Sequence, residues 1–423
     1  MSSTIELTVE RPVAGGRMLA RQDGRVVLVS GAIPGERVRA RVERTVRHTI
    51  FAGVVDVLDA SPFRRPPYCD PRCGGSVYAH IVPEHQRVLK GAIVADAFRR
   101  LGGMTIDPPS VAGASEEGYR LRARLHVQGG RTGFFLEDTH TLCDAAVTRQ
   151  LRSGALSAVT ALLVQLGDAA SLIEAVVVSE NVDASMRVLH LDVKAGAKVA
   201  QLEGRARLVD GVTGVTMRTG SRLIALAGVP TVTDRAGALF GQEAPIPAET
   251  EWTRSGASFF QGNRFLIGDL VSHVLAHATG TRVLDLYSGV GLFAIALAAR
   301  GATVTAVEGD AASGDDLELN AARWSSQVVV RRGSVEDVAT TLSAGAFDAI
   351  VLDPPRTGAS PDALASIIKL AASRIVYVSC DPATLARDAK ALVAAGYRLG
   401  SIQGFDLFPN TAHVETVAVF GRA

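Results

Sequence analysis

The 423-residue chain predicts an α/β protein: a doubly wound, mostly parallel sheet over 256–423, a small five-stranded β-barrel over 1–60 and an α+β region over 61–255. Three observations support this reading. Short strand-like runs split by Gly and Pro fill the first sixty residues. A proline-rich stretch, SPFRRPPYCDP at 61–71, then marks a boundary. From 256 onward, apolar strands and helices alternate strictly, which requires a sheet covered by helices on both faces.

Within the first region the runs 5–9, 26–29, 38–42 and 51–58 are separated by Gly15-Gly16, Asp23-Gly24 and Ile33-Pro34-Gly35. Barrels of this size commonly hold single-stranded nucleic acid. The central region offers strand-like stretches at 121–127 and 188–193, a helix at 155–166 and a break at Asp107-Pro108-Pro109. Its topology is not legible. The last region begins with a helix at 263–278, where Phe265, Leu266, Leu270, Val271, Val274 and Leu275 recur at helical spacing. A strand (282–287), a helix (292–300) stopped by Gly301, a strand (303–307) and a helix (311–324) follow. Strands at 328–331, 348–352 and 374–379 come next, then a helix with Asp381 as N-cap and Pro382 at its first position. A β-rich pair at 399–407 and 414–420 closes the chain.

With 47% hydrophobic residues the chain can build packed cores, which excludes disorder. Its longest charge-free run, 153–167, is 15 residues and contains Gln, Ser and Thr, too short and too polar for the ~20 apolar residues of a membrane span. Glu6 and Glu10 interrupt any leader-like apolar core, and four cysteines are too few for a disulfide scaffold, so a cytoplasmic location is expected. Basic and acidic residues balance at 44 and 43, but the first hundred residues hold 16 against 10. Arg37, Arg39, Arg41, Arg44 and Arg47 crowd together, and Arg120, Arg122 and Arg124 share one face of a strand. Arginine's planar fork suits phosphate, although a solvated basic face gives the same pattern.

In an open α/β sheet the ligand sits at the carboxyl ends of the strands, where their order reverses. There the first strand runs into Asp285-Leu286-Tyr287-Ser288-Gly289-Val290-Gly291, and the second ends at Glu308, placed to accept from two ribose hydroxyls. Gly-x-Gly-x-x-Ala with a downstream acid also suits a nicotinamide dinucleotide. Asp285 before the glycines fits a ligand with a positive sulfonium, S-adenosylmethionine, better than one with a diphosphate.

Further along that edge stand Asp353-Pro354-Pro355-Arg356 and Ser379-Cys380-Asp381-Pro382. Cys380 lies just before a helix N-terminus, whose dipole favours a thiolate. A thiolate beside a methyl donor points to one reaction. Addition of sulfur to carbon 6 of a pyrimidine makes carbon 5 nucleophilic; after methylation a base must remove the carbon 5 proton, and Glu415 is the candidate. Two other readings stand beside it: a base N-methyltransferase using Asp-Pro-Pro-Arg as a clamp, and a non-catalytic RNA-binding factor.

These residues resemble the RNA uridine-5-methyltransferase family, which acts on tRNA and 23S rRNA. FFQGN (259–263), DLYSGVGLF (285–293), VEGD (307–310), LDPPRTG (352–358), VSCDPATLARD (378–388) and DLFPNTAHVETVAVF (406–420) occur in the family's order. The first sixty residues are similar to its RNA-binding TRAM barrel. The resemblance implies a class I methyltransferase domain at 256–423, an RNA substrate and a monomer. It gives Cys380 as nucleophile, Glu415 as base, and Gln261, Tyr287, Glu308 and Asp353 as contacts to S-adenosylmethionine, with Phe259 stacking near a flipped base. A single cysteine in the catalytic region favours uridine over cytidine.

Two departures stand out. Leu292 replaces the Asn that several relatives carry after the second glycine. Many members hold an iron–sulfur cluster through Cys-x5-Cys-x2-Cys and a distant Cys; here Cys69-x3-Cys73-x2-Ser76 and Cys143 fall on or near those positions. The resemblance therefore raises a cluster at Cys69, Cys73 and Cys143, with a relic of a lost site as the alternative. Ser76 excludes ligation by four cysteines.

Overall fold

The computed structural model describes residues 4–137, 139–220, 222–241 and 244–422. Strands β1 (Thr4–Pro12), β2 (Met18–Gln22), β3 (Arg25–Ser30), β4 (Arg37–Val46) and β5 (Thr49–Asp59) close into a barrel in the order β1-β2-β3-β5-β4. Alternation along them sends Leu7, Val9, Val27, Val29, Val38 and Ala40 inward. The linker is fastened to the barrel by buried Glu36, which accepts from Arg64 and from the Ser61 amide at 3.1 Å.

The stretch 61–255 divides between two bodies. Helix α1 (Pro83–Ala97) and the two-residue strand β6 (Val111–Ala112) belong to the C-terminal unit: β6 pairs in parallel with the last sheet, and Val94, Ala97 and Phe98 join that sheet's core. The central domain proper is a seven-stranded sheet in the order β13-β12-β11-β10-β7-β8-β9. Its strands are β7 (Arg122–Gln128), β8 (Arg131–Phe135), β9 (Leu142–Asp144), β10 (Ile173–Glu180), β11 (Arg187–Val193), β12 (Gly214–Thr219) and β13 (Arg222–Gly228).

Helix α2 (Ser153–Leu166) covers the central sheet with Ala155, Ala158, Val159, Leu162, Leu163 and Leu166. It continues through a 3-10 segment, so Ser153–Leu172 forms 20 residues that by length and composition could cross a membrane, longer than the charge-free run suggests. Its apolar stripe is spent on the sheet, as in a core helix. Strands β14 (Thr231–Arg235) and β15 (Glu251–Ser255), with α3 (Ala236–Phe240) after β14, then return to the C-terminal core, where Trp252 is fully buried.

The C-terminal sheet has the order β18-β17-β16-β19-β20-β22-β21-β6. It comprises β16 (Arg282–Leu286), β17 (Thr303–Glu308), β18 (Val328–Arg332), β19 (Ala349–Leu352), β20 (Arg374–Ser379), β21 (Tyr397–Phe405) and β22 (Glu415–Arg422). Helices α4 (Ile267–His277), α5 (Leu292–Ala299), α6 (Ala311–Ala321), α7 (Val335–Thr340), α8 (Pro361–Leu370) and α9 (Pro382–Ala394) cover it. The neighbours β18 to β20 run parallel, and only β22 is inserted antiparallel. Almost uniformly buried strands such as AIVL and RIVYVS are what two covered faces require. The expected cap of α9 is present: the Asp381 carboxylate accepts from the Ala383 and Thr384 amides, both at 2.9 Å. Such a cap is worth ~1 kcal/mol.

Candidate active site

Strand order decides which residues meet. Reading along the carboxyl edge of β17, β16, β19 and β20, the chain exits at Glu308, Tyr287, Asp353 and Cys380. Because β22 is antiparallel, its first residue reaches the same edge: Ser379 pairs with Thr416, which sets Glu415 beside Cys380. The order reverses between β16 and β19, the crevice where ligands bind in such sheets.

The loop after β16 turns through two left-handed residues, the second of which borders open space. Tyr287 has φ +59° and Gly289 φ +56°, and a Cβ on Gly289 would project into a void. Glu308 holds the loop from the side, accepting from the Gly289 amide at 2.7 Å and from the Asp310 amide at 2.6 Å. Beneath it, Asp285 is fully buried, neither carboxyl oxygen meets a hydrogen-bond donor in good geometry, and burial pushes its pKa up to about 8. The expectation that Asp285 faces a cation gives way to a neutral acid under the loop. Gln261 donates to Asp353 at 2.9 Å, which aims that carboxyl at the crevice mouth. The open space at Gly289 and the oriented carboxyl of Asp353 together fit a nucleoside with a cationic side chain.

The chemistry-bearing groups perturb one another. Cys380 is half-buried, and burial, with Glu415 and Asp353 nearby, pushes its thiol up to about 11; Arg356 opposes this. Helix α9 does begin next to the sulfur, but burial and two carboxyls outweigh its dipole. Glu415 is 2% exposed, its Oε1 has no partner, and burial plus the Asp353 charge hold its pKa well above the ordinary carboxylate value. Asp353 is likewise raised, to about 7, by burial. A thiol, two proton-hungry carboxyls and one guanidinium make a set that can add sulfur to an electrophilic ring and take a proton back. Phe259, 60% exposed, is free to stack on such a ring.

The comparisons agree with this geometry. The profile of the tRNA (Uracil-5-)-methyltransferase family matches residues 249–422, and that of the TRAM domain matches residues 2–55. The 23S rRNA (uracil(1939)-C(5))-methyltransferase RlmD of Pseudomonas putida is 33% identical across 98% of this chain and 93% of its own length. The chain belongs to the RNA uracil-C5 methyltransferase family. The RlmD of Alkalilimnicola ehrlichii is 35% identical over 96% of the chain and 94% of that protein, and an uncharacterized RNA methyltransferase of Streptomyces coelicolor is 34% identical over 97% and 92%. The crystal structure of Pyrococcus abyssi tRNA (uracil-54, C5)-methyltransferase with S-adenosyl-L-homocysteine shares the fold at a TM-score of 0.74, covering 98% of this chain and 99% of that one at 23% identity.

The cluster that many family members carry does not fit here. Cys73 and Cys143 are joined in a disulfide with their Cα atoms 5.8 Å apart, which removes two of the three thiolates. Burial raises the remaining thiol, Cys69, and Ser76 is a buried hydroxyl. No group of three or more His, Cys, Asp or Glu among the described residues is arranged to hold a metal ion. The disulfide instead staples the linker to β9, beside the contact of the Gly74 amide with the Phe135 carbonyl at 3.1 Å.

Sequence reasoning missed what holds the family's 406–413 loop, the segment leading into Glu415. Asn410 has φ +64°; its side chain accepts from Gln86 at 2.9 Å and Arg65 at 3.0 Å and donates to Tyr68 at 2.8 Å. Lys90, fully buried, ion-pairs with Asp406. These partners lie more than three hundred positions away, so no local pattern announces them. A second missed residue, Asp388, accepts from Tyr377 at 2.7 Å and from the Ala359 amide at 3.1 Å, tying α9 to the loop after Asp353. Leu292 opens α5 as a buried apolar residue and offers no polar contact there.

Proposed function

We propose that this chain methylates carbon 5 of a uridine in RNA, with S-adenosylmethionine as donor, and that 23S rRNA is its first candidate substrate, since that is the RNA named for the curated relatives above. One observation carries the reading: the β20–β22 pairing sets Cys380 and Glu415 side by side on the cofactor edge. A tRNA uridine is the alternative within the same chemistry.

When bound, S-adenosylmethionine would supply an electrophilic methyl group, and Gln261, Tyr287, Glu308 and Asp353 would be the residues that hold it. The half-buried Cys380 thiol gives its proton to solvent, and its sulfur adds to carbon 6 of the flipped uracil while the ring electrons gather at carbon 5 and oxygen 4. Arg356 is the one cation that offsets charge at both Cys380 and Glu415, so it favours thiolate formation and steadies the anionic ring. After carbon 5 is methylated, Glu415 takes its proton; the electron pair re-forms the ring double bond and expels the sulfur. Burial raises its pKa above the ordinary carboxylate value, so in its ionised form it is a stronger base than an exposed glutamate. Gln261 keeps Asp353 oriented, and Phe259 supplies a stacking face.

The test is methylation of 23S rRNA fragments and tRNA transcripts by the full chain, followed by nucleoside analysis. The expected product is 5-methyluridine, and an N-methylated purine would overturn the reading. Glu415→Gln should accumulate an RNA adduct that survives denaturing gels, because release is blocked after addition. Absence of that adduct on an RNA the wild type methylates would remove Glu415 from its role.

A further inference from the structure

A cavity of about 390 Å³ opens beside the catalytic loop, at the meeting of all three regions of the chain: Gly15 of the barrel and Gly74 of the linker border it. Its functional lining is Arg120, His126, Phe134, Phe135, Arg356 and Phe408. Neither Cys380, Glu415, Asp353 nor Phe259 lines it, so it is separate from the reacting centre. Arg356 connects the two, bordering the cavity while its charge acts on Cys380 and Glu415.

The chemistry of this cavity is that of a nucleotide. The Arg120 guanidinium is fixed by Gln150 Oε1 at 2.6 Å and the Arg122 carbonyl at 3.1 Å, and lies over the Phe134 ring at 5.3 Å. Elsewhere the arginines are largely answered by carboxylates, as in Arg37 with Asp59, Arg39 with Asp56 and Arg65 with Glu116. Among the described residues no carboxylate lies within ion-pair distance of Arg120 or Arg356; Arg356 acts at longer range on Glu415, and with Arg72 and Glu137 also on the lining the cavity is bordered by three guanidiniums and one carboxylate. Guanidiniums grip phosphate bidentately. The same cavity has an aromatic wall. The His126 ring stacks on Phe135 with centroids 3.7 Å apart and planes 15° off parallel, and His140 meets the other ring edge at 5.3 Å. Phe135 and His126 also line a second hollow, of about 940 Å³, so the ledge is shared by two adjoining hollows.

We infer that this cavity is a subsite for one unpaired nucleotide flanking the flipped uridine: its phosphate lies between Arg120 and Arg356, its base stacks on the Phe135–His126 ledge, and the strand leaves along that ledge. The inference rests on the RNA reading above and adds the place where that RNA is gripped. It also accounts for the staple, since the Cys73–Cys143 bond and the Gly74–Phe135 contact fix the cavity floor.

The experiment uses the full chain and a stem-loop RNA that it methylates, with the loop positions on either side of the target uridine replaced one at a time by 2-aminopurine or by an abasic residue. At one flank, 2-aminopurine fluorescence is expected to be quenched on binding, and the abasic RNA to raise KM about tenfold with kcat retained. Phe135→Leu keeps the apolar volume and loses the ring. It should raise KM for intact RNA by the same factor, add nothing further on the abasic RNA, and abolish the quenching. Unchanged affinity for S-adenosylhomocysteine certifies that the variant is folded. Unchanged KM for both abasic RNAs, or independent effects of variant and abasic site, with 5-methyluridine still formed, overturns the subsite and leaves the proposed function standing. Quenching without any methylation of any RNA overturns the function and retains the subsite, because the binding readout needs no turnover.

Discussion

At the scale of single residues the site is built on burial and like charge. Burial raises the pKa values of Cys380, Glu415 and Asp353; the Asp353 charge adds to the rise at Cys380 and Glu415, and Glu415 adds to it at Cys380. Arg356 opposes the rise at Cys380 and Glu415, and the Gln261 hydrogen bond opposes it at Asp353. Replacing Glu415 with Gln removes a negative neighbour, so the Cys380 thiol becomes easier to ionise. Alkylation of Cys380 by iodoacetamide should accelerate with pH toward a midpoint near 11 in the wild type, and the Glu415→Gln profile should shift to lower pH. An unshifted profile would show that the two groups do not sense each other. Asp285 gives a second prediction. Its pKa is raised from 3.8 to about 8, so between those values the folded chain holds a proton that the unfolded chain has lost. Stability contributed by this group therefore falls as pH rises through that window. Asp285→Asn does not titrate, so urea melts should show the variant gaining on the wild type from about pH 4 to pH 8 and holding a constant margin above.

At the scale of elements, the antiparallel insertion of β22 matters most, because it delivers Glu415 to an edge otherwise made of strand exits. The loop before it is carried by α1 as much as by its own sheet. Lys90 on α1 is fully buried against Asp406, and its ammonium also reaches the Phe408 carbonyl at 3.0 Å. Lys90→Met would leave Asp406 buried without its cation, a change that typically costs about 3–5 kcal/mol. Denaturant unfolding should show that loss, and Lys90→Met with Asp406→Asn should recover much of it, since no unpaired charge is then buried. A double variant as unstable as the single one would mean that the pair matters through packing rather than charge.

The whole molecule has a formal charge of only +1, yet its first hundred residues are basic. Many barrel arginines are already committed: Arg17 pairs with Glu43 and Arg21 with Glu10. Arg25, Arg41 and Arg47 form no ion pair among the described residues, and Arg41 and Arg47, in and next to the arginine cluster of β4, are the positions to test for phosphate. RNA affinity should fall as salt rises, and Arg41→Ala and Arg47→Ala should each flatten the log–log slope by about one contact. A slope that neither variant alters would place the phosphate contacts off the barrel.

Much of this was written locally. The barrel, the alternating C-terminal elements and the Asp381 cap follow from apolar periodicity, turn residues and capping chemistry, which act over a few residues. The glycine loop, Asp353, Cys380 and Glu415 are legible for the same reason: the first three follow strands whose pattern is plain, and Glu415 opens one. What tertiary structure alone decided is their arrangement and their state. Strand order put Cys380 next to Glu415, and burial made its thiol reluctant, against the helix dipole that the sequence displays. Distant packing likewise allotted α1 and β6 to the catalytic sheet, clamped Asn410 from the linker, closed Cys73 on Cys143 where the resemblance suggested a cluster, and opened the cavity under Arg120. Contacts between residues hundreds of positions apart, and the dielectric around a buried group, are properties of the folded neighbourhood and leave no periodic trace in the chain.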